Sequence, residues 1–182
     1  MKKIFFLTGR PGIGKTTVLL RIVEKLKKEG LKVGGFISRE VREDGARVGF
    51  KIISLDDGRE GWLAHVRQPV GPRIGKYRVC MEDLESVGVD AIRRAIRESE
   101  IIVIDEVGPM ELFSQSFRKA LVESLNSEKT ILGTIHYRIK TPLIAEIKAR
   151  EDVAIIEVTW KNREELPEKI THEILKIHGK AY

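Results

Sequence analysis

The segment Gly9-Arg10-Pro11-Gly12-Ile13-Gly14-Lys15-Thr16 limits what this chain can fold into more than any other part of it. It has the form G-x-x-x-x-G-K-[ST] and stands between a short apolar run, Ile4 to Thr8, and an amphipathic stretch from Lys15 to about Glu29. A strand, a glycine-rich loop and a helix in that order turn several backbone N–H groups inward. They also bring whatever they hold to a helix N-terminus, where unpaired donors and the dipole favour an anion. The chemistry of the pattern assigns Lys15 to the β and γ phosphates of a nucleotide and the Thr16 hydroxyl to Mg²⁺. The candidate nucleotide-binding residues here are Gly9, Arg10, Pro11, Gly12, Ile13, Gly14, Lys15, Thr16 and Thr17.

The remaining periodicities fit a chain built around such a loop. Val18, Leu19, Ile22, Val23 and Leu26 form the buried stripe of the first helix, and Gly30 its C-terminal stop. Strands are expected over Val33–Val41, Val48–Leu55, Gly61–Val66, Ile101–Ile104, Thr130–Ile135 and Val153–Val158. Asp56-Asp57-Gly58 is a hairpin signal. Gln68 to Lys76, with two prolines and two glycines, reads as a loop. Helical spacing returns near Glu82, at Val89–Glu98 beyond Gly88, at Ser114–Leu125, after Thr141-Pro142, and in a closing helix to about His178. Asn162 and Glu165 resemble a capping box for that last helix, with Pro167 offering a later start as the alternative. Apolar strands without polar alternation, separated by helices, indicate an α/β fold with a mostly parallel sheet covered on both faces. The whole chain, 1–182, is expected to be one P-loop domain, with residues 34–66 an antiparallel meander inserted in it.

Ile101-Ile102-Val103-Ile104-Asp105-Glu106 places two carboxylates at the C-terminal end of a buried strand, the ligand edge of an open parallel sheet. Asp105 suits the Mg²⁺ sphere, and Glu106 suits the water that attacks a γ-phosphate. Successive strand residues point to opposite faces, so both can address one phosphate only if the chain bends, for which Gly108 and Pro109 offer a place. In the P-loop division with a strand between the loop strand and the acidic strand, Thr130–Ile135 takes the middle position. Thr134 and His136 then lie near the γ-phosphate, His136 as a polar sensor. Arg10, Arg39, Arg73, Arg138 and Arg150 are candidate cations for the developing charge, with Arg138 favoured for its place beside His136. The catalytic candidates are thus Lys15, Glu106, His136 and Arg138.

Composition removes several classes. The single cysteine, Cys80, excludes an internal disulfide framework and a multi-cysteine zinc site, and fits a reducing cytoplasm. No stretch approaches 18 apolar residues, and Ile4–Leu7 is too short for a secretory leader. The net charge of +6 favours anionic partners, but no block of like charges or aromatic interleaving indicates nucleic acid. Trp62 and Trp160 read as packing residues, and His65, His172 and His178 show no metal-ligand spacing. High charge with four Asn and Gln in all hints at a thermophile.

Several segments together resemble a known family: the phosphate loop, Gly34-Gly35-Phe36, Gly49-Phe50, Leu55-Asp56-Asp57-Gly58, Gly75-Lys76-Tyr77 and Asp105-Glu106-Val107-Gly108-Pro109-Met110-Glu111-Leu112. They look like the small nucleoside-triphosphatases of thermophilic archaea and bacteria, related to the human cancer-related nucleoside-triphosphatase. The resemblance implies a RecA-like P-loop fold and Mg²⁺-dependent hydrolysis of ATP, GTP, CTP and UTP to diphosphates. It implies a second nucleotide-contacting segment: Ile101, Ile102, Val103, Ile104, Asp105, Glu106, Val107 and Gly108. Two other functions fit the motifs: a small nucleoside, nucleotide or polynucleotide kinase with residues 67–78 as a lid, and a nucleotide-switched nucleic-acid-binding module.

Overall fold

The computed structural model describes residues 1–181. Strands β1 (Ile4–Thr8), β2 (Val33–Glu43), β3 (Ala46–Ser54), β4 (Glu60–His65), β5 (Arg73–Ile74), β6 (Tyr77–Val79), β7 (Ile101–Val107), β8 (Thr130–Ile135) and β9 (Val153–Glu157) join in one sheet of order β5-β6-β4-β3-β2-β7-β8-β1-β9. The half from β2 to β9 is parallel and the half from β5 to β2 antiparallel. β2 belongs to both halves, parallel to β7 along one edge and antiparallel to β3 along the other. As the spacing predicts, β8 separates the phosphate-loop strand β1 from the acidic strand β7.

The continuous apolar runs are explained by two cores, one on each face. Ile4, Phe6, Ile102, Ile104 and Ile131 face a layer made by α3 (Asp90–Glu98), α4 (Gln115–Leu125) and α5 (Pro142–Ala149). Their strand neighbours Phe5, Leu7, Ile101, Val103 and Leu132 face α1 (Lys15–Lys28) and α6 (Leu166–Ile177). Alternate residues of one strand therefore enter opposite cores, and no polar alternation remains to be seen in the sequence.

Four local readings need correction. The stretch 68–76 is not all loop, because Arg73–Ile74 and Tyr77–Val79 pair as the antiparallel β5–β6 hairpin. Gly88 does not break the helix: α2 (Met81–Asp83), a π-helical turn (Leu84–Val89) and α3 run on without a gap. A Cβ on Gly88 would meet Ile52 Cδ1 at 2.5 Å, so the missing side chain lets the meander pack against the turn. Asn162 and Glu165 form no capping box. Asn162 Oδ1 accepts from Thr159 N–H at 2.8 Å, and α6 starts later, at Leu166. The chain irregularity that serves the two carboxylates lies at residues 105–106, where β7 slips register against β8 between Ile104 and Val107, before Gly108 and Pro109. Thr141-Pro142 starts its helix as expected, with Thr141 Oγ1 accepting from Ile144 N–H at 3.2 Å, and α4 is capped in the same way by Ser114 Oγ, which accepts from Phe117 N–H at 3.1 Å.

The tightest backbone approach in the sheet is at Gly35, which pairs with Val103 and has φ +100°. A side chain there would fall on the Val103 carbonyl oxygen, and the backbone conformation itself disfavours one. Gly35→Ala is expected to cost about 3 kcal/mol or more, read from the denaturant midpoint, because backbone on both sides leaves nothing flexible to yield.

Candidate active site

β1 ends at Thr8 and the chain enters the phosphate loop through Gly9, φ +144°. Gly12 (φ +78°) and Gly14 (φ +107°) supply the other two left-handed turns. α1 then starts at Lys15 with no side chain bonded to its N-cap and no acidic residue in its first turn, so its leading N–H groups keep their affinity for an anion. The Lys15 ammonium bends back over the loop, donating to Gly9 O at 2.8 Å and Arg10 O at 3.2 Å. Its pKa is lowered by burial, against the opposing pull of Glu106 and Asp105.

Asp105 is 2% exposed and tied to three elements besides its own. Thr134 of β8 donates its hydroxyl to Oδ1 at 2.7 Å, Thr16 of α1 donates to Oδ2 at 3.2 Å, and the Ser38 N–H of β2 reaches Oδ2 at 3.3 Å. Burial raises its pKa, and these three bonds with the Lys15 charge oppose the rise. Glu106, beside it, is pushed up to about 7 by burial and by the Asp105 charge, with Lys15 pulling the other way. The register slip lets neighbouring residues serve one site.

Residue by residue, the expectations fare differently. Thr134 and His136 stand at the end of β8, and His136 is close enough for the Lys15 charge, after burial, to lower its pKa. The His136 Nδ1 is committed to the Arg138 and Ile139 N–H groups at 3.2 and 3.1 Å, so only Nε2 is left for the cleft. Arg138 is exposed on the same turn. Arg150 is not a candidate: it pairs with Asp152 at 2.9 Å and donates to Leu125 O, at the opposite end of the sheet from the loop. Arg39 pairs with Glu60 at 3.7 Å, and Arg73 lies in the outermost strand. Ile101, Ile102, Val103, Ile104 and Val107 are 0% exposed and sealed within the sheet, so their side chains cannot touch a nucleotide. Of that segment, only the carboxylates of Asp105 and Glu106 open toward the loop. Residues 67–78 include the β5–β6 hairpin of the far sheet edge, with Arg67 bound to Glu43 and Arg78 to Gly71 O. The segment therefore does not form a lid over the phosphate loop. Cys80 is half-buried with its thiol pKa raised by burial, in keeping with an inert role.

The sequence reading missed Glu111 as a site residue, although it belongs to the quoted Asp105–Leu112 run. It sits in the 3₁₀ turn Glu111–Phe113, is 3% exposed, and is held well above the usual carboxylate range, first by burial and then by the charges of Glu106 and Asp105. A buried glutamate four residues beyond a strand end carries no sequence signal that separates it from a solvated one. Gly108 is where the two glutamates converge: a Cβ there would lie 2.7 Å from Glu106 Oε1 and 3.1 Å from Glu111 Oε2.

A glycine loop over a helix N-terminus, a lysine bent back over that loop and an acidic strand two positions away in the sheet define a P-loop nucleotide-binding protein of the RecA-like division. Residues 4–171 match the model of the NTPase family, and the chain belongs to that family. It is 51% identical to nucleoside-triphosphatase THEP1 of Thermofilum pendens over 96% of this chain and 97% of the relative. It is 45% identical to the protein of the same name from Methanosarcina acetivorans, over 95% and 97%. Two solved structures superpose with a TM-score of 0.81: the crystal structure of THEP1 from Aquifex aeolicus (34% identity, 93% of this chain and 96% of that one) and the solution structure of a human cancer-related nucleoside triphosphatase (36%, 97% and 98%).

Gly108→Ala separates the chemistry from the fold. Glu106 Oε1 is the far end of a flexible side chain and can swing away from a new methyl, so stability should change little. Displacement of the Glu106 carboxylate is expected to lower kcat at least about tenfold. Thermal melting and steady-state turnover, side by side, check both halves.

Proposed function

We propose that this chain hydrolyses nucleoside triphosphates to diphosphate and phosphate with Mg²⁺, using Glu106 as the base and accepting any of the four common bases. The observation that carries the reading is the pair of neighbouring carboxylates with different surroundings. Asp105 is fixed by three hydrogen bonds beside the Thr16 hydroxyl, whereas Glu106 has no partner of that kind and an ionisation near pH 7. A general base works best with a pKa close to the operating pH.

The donor set fits Mg²⁺. A buried carboxylate within 3.2 Å of the Thr16 hydroxyl gives hard oxygen ligands on one side and leaves the rest of the sphere to phosphate and water. Thr16 and Asp105 would hold the ion, and when bound it neutralises charge on the β and γ phosphates. Lys15 binds the same oxygens from the loop. Glu106 takes a proton from water as the water oxygen bonds to the γ-phosphorus. The bond from that phosphorus to the β,γ-bridging oxygen breaks, and the diphosphate leaves with the bond electrons. Glu106 then returns its proton to solvent. Water as acceptor is favoured over a second substrate because the segment a kinase would use as a lid is built into the sheet instead.

Amide variants of the two carboxylates distinguish their roles. Glu106→Gln keeps shape but cannot take a proton, so nucleotide affinity should persist while kcat falls roughly 10²–10⁴-fold. Asp105→Asn should show its defect in metal dependence and recover partly in excess Mg²⁺. Near-normal kcat in Glu106→Gln would remove the base assignment and leave His136 Nε2 as the next group to orient the water.

Every group above addresses triphosphate or water and none addresses a base edge. ATP, GTP, CTP and UTP should therefore be hydrolysed with kcat/KM values within about two decades of one another. Turnover with each nucleotide in parallel checks this, and strict dependence on one base would revive the kinase reading.

A further inference from the structure

With Mg²⁺ at Thr16 and Asp105 and water at Glu106, a bound triphosphate would have one direction, and its nucleoside would lie on the opposite side of the loop. Thr16, Asp105, Glu106 and Thr134 place the γ end on the β8–β7 side of β1. The other neighbour of β1 is β9, so a triphosphate held in that direction would run out of the loop toward the C-terminal end of β9. That end is packed against the loop itself. The Val158 N–H donates to Thr8 O at 2.8 Å, and a side chain on Gly9 would meet Val158 O at 2.8 Å.

Two residues further on stands Trp160, 70% exposed and part of neither core. The Arg163 guanidinium lies 3.9 Å from its ring centroid and covers one face, so the exposure belongs to the rest of the indole. Arg163 also donates to Ile13 O at 3.3 Å, which ties the pair to the phosphate loop. The turn that carries Trp160 is held by three bonds: Thr159 N–H to Asn162 Oδ1 at 2.8 Å, Asn162 N–H to Thr159 Oγ1 at 3.3 Å, and Asn162 Nδ2 to Glu157 O at 2.8 Å. A large aromatic is thus presented to solvent on a braced turn, beside the loop and on the nucleoside side of it.

We propose that Trp160, backed by Arg163, is the platform on which the nucleobase of the bound triphosphate stacks. The inference rests on the nucleoside-triphosphate reading and adds its missing base subsite. Stacking uses the π-face that every base has and reads no edge, so it gives affinity without selecting among bases. Arg163 supplies a cation over the same ring and stiffens it.

The test uses the full chain with Trp62→Phe, which leaves Trp160 as its one fluorophore of that kind. Titration with Mg²⁺ and ATP, GTP, CTP or UTP should quench Trp160, more strongly with purines, and inorganic tripolyphosphate should not. Trp160→Ala in the natural background should raise KM for all four nucleotides by roughly 5- to 100-fold, the usual worth of one stacked base. It should also erase the preference for ATP over tripolyphosphate, and Trp160→Phe should restore most of it. Nucleotide turnover without quenching, or KM values in Trp160→Ala within twofold of the parent protein, would overturn the platform. Quenching by nucleotides without turnover would uphold the platform and sink the hydrolysis reading instead, so the two failures are separable.

Discussion

The carboxylate of Asp105 is the point on which the parallel half of the molecule depends. It is almost fully buried, and an isolated charge there would be costly. Its surroundings answer that cost with donors from three different elements: Thr16 on α1, Ser38 on β2 and Thr134 on β8. Each donor is in place only if β2, β7, β8 and β1 have the observed order and register. The bond to Thr16 further requires the phosphate loop to deliver α1 directly above the end of β7. A polar requirement of one side chain thus ties the site to the sheet order, and the nonpolar layers on either side could not do that alone, since burial is indifferent to which apolar strand lies where.

The carboxylates differ because their surroundings differ. Asp105 spends its lone pairs on fixed donors, which favour its charge. Glu106 lacks such donors and Glu111 lies still deeper, so burial and mutual repulsion push both upward. The Lys15 charge reaches both Asp105 and Glu106 and pulls both downward. Of the three carboxyl groups, Glu111 is held well above the usual carboxylate range, and Glu106, pushed up to about 7, is the one that can exchange a proton near neutral pH.

The sequence disclosed those features that are set by local chain chemistry. The phosphate loop needs its glycines within eight residues. The strand runs need only apolar neighbours, and the position of β8 between β1 and β7 followed from the P-loop division that the loop and the acidic strand suit. The β5–β6 hairpin stayed hidden because two- and three-residue strands are shorter than any period that reveals them, and their pairing with β4 is a tertiary event. Gly88 read as a break because glycine usually ends a helix; the close approach of Ile52 that makes it useful lies 36 positions back along the chain. The buried Ile101–Val107 side chains show the limit of carrying a family segment over whole: the strand is shared because it holds the carboxylates in place, and its other residues serve the core.

The two tryptophans show the same limit from the functional side. In sequence both look like packing residues. In the fold Trp62 is half-buried against His65, with ring centroids 4.5 Å apart and Lys51 above it, so it is a packing residue of the meander. Trp160 is not, because β9 ends beside the phosphate loop and the chain leaves the sheet there before α6 begins. The difference comes from sheet order: an aromatic just past an edge strand packs if a layer covers that end and stays exposed if none does. β9 is the edge strand next to β1, so its C-terminal turn lies beside the loop. The exposure of Trp160 is thus a consequence of strand order, which no composition or periodicity around residue 160 could carry.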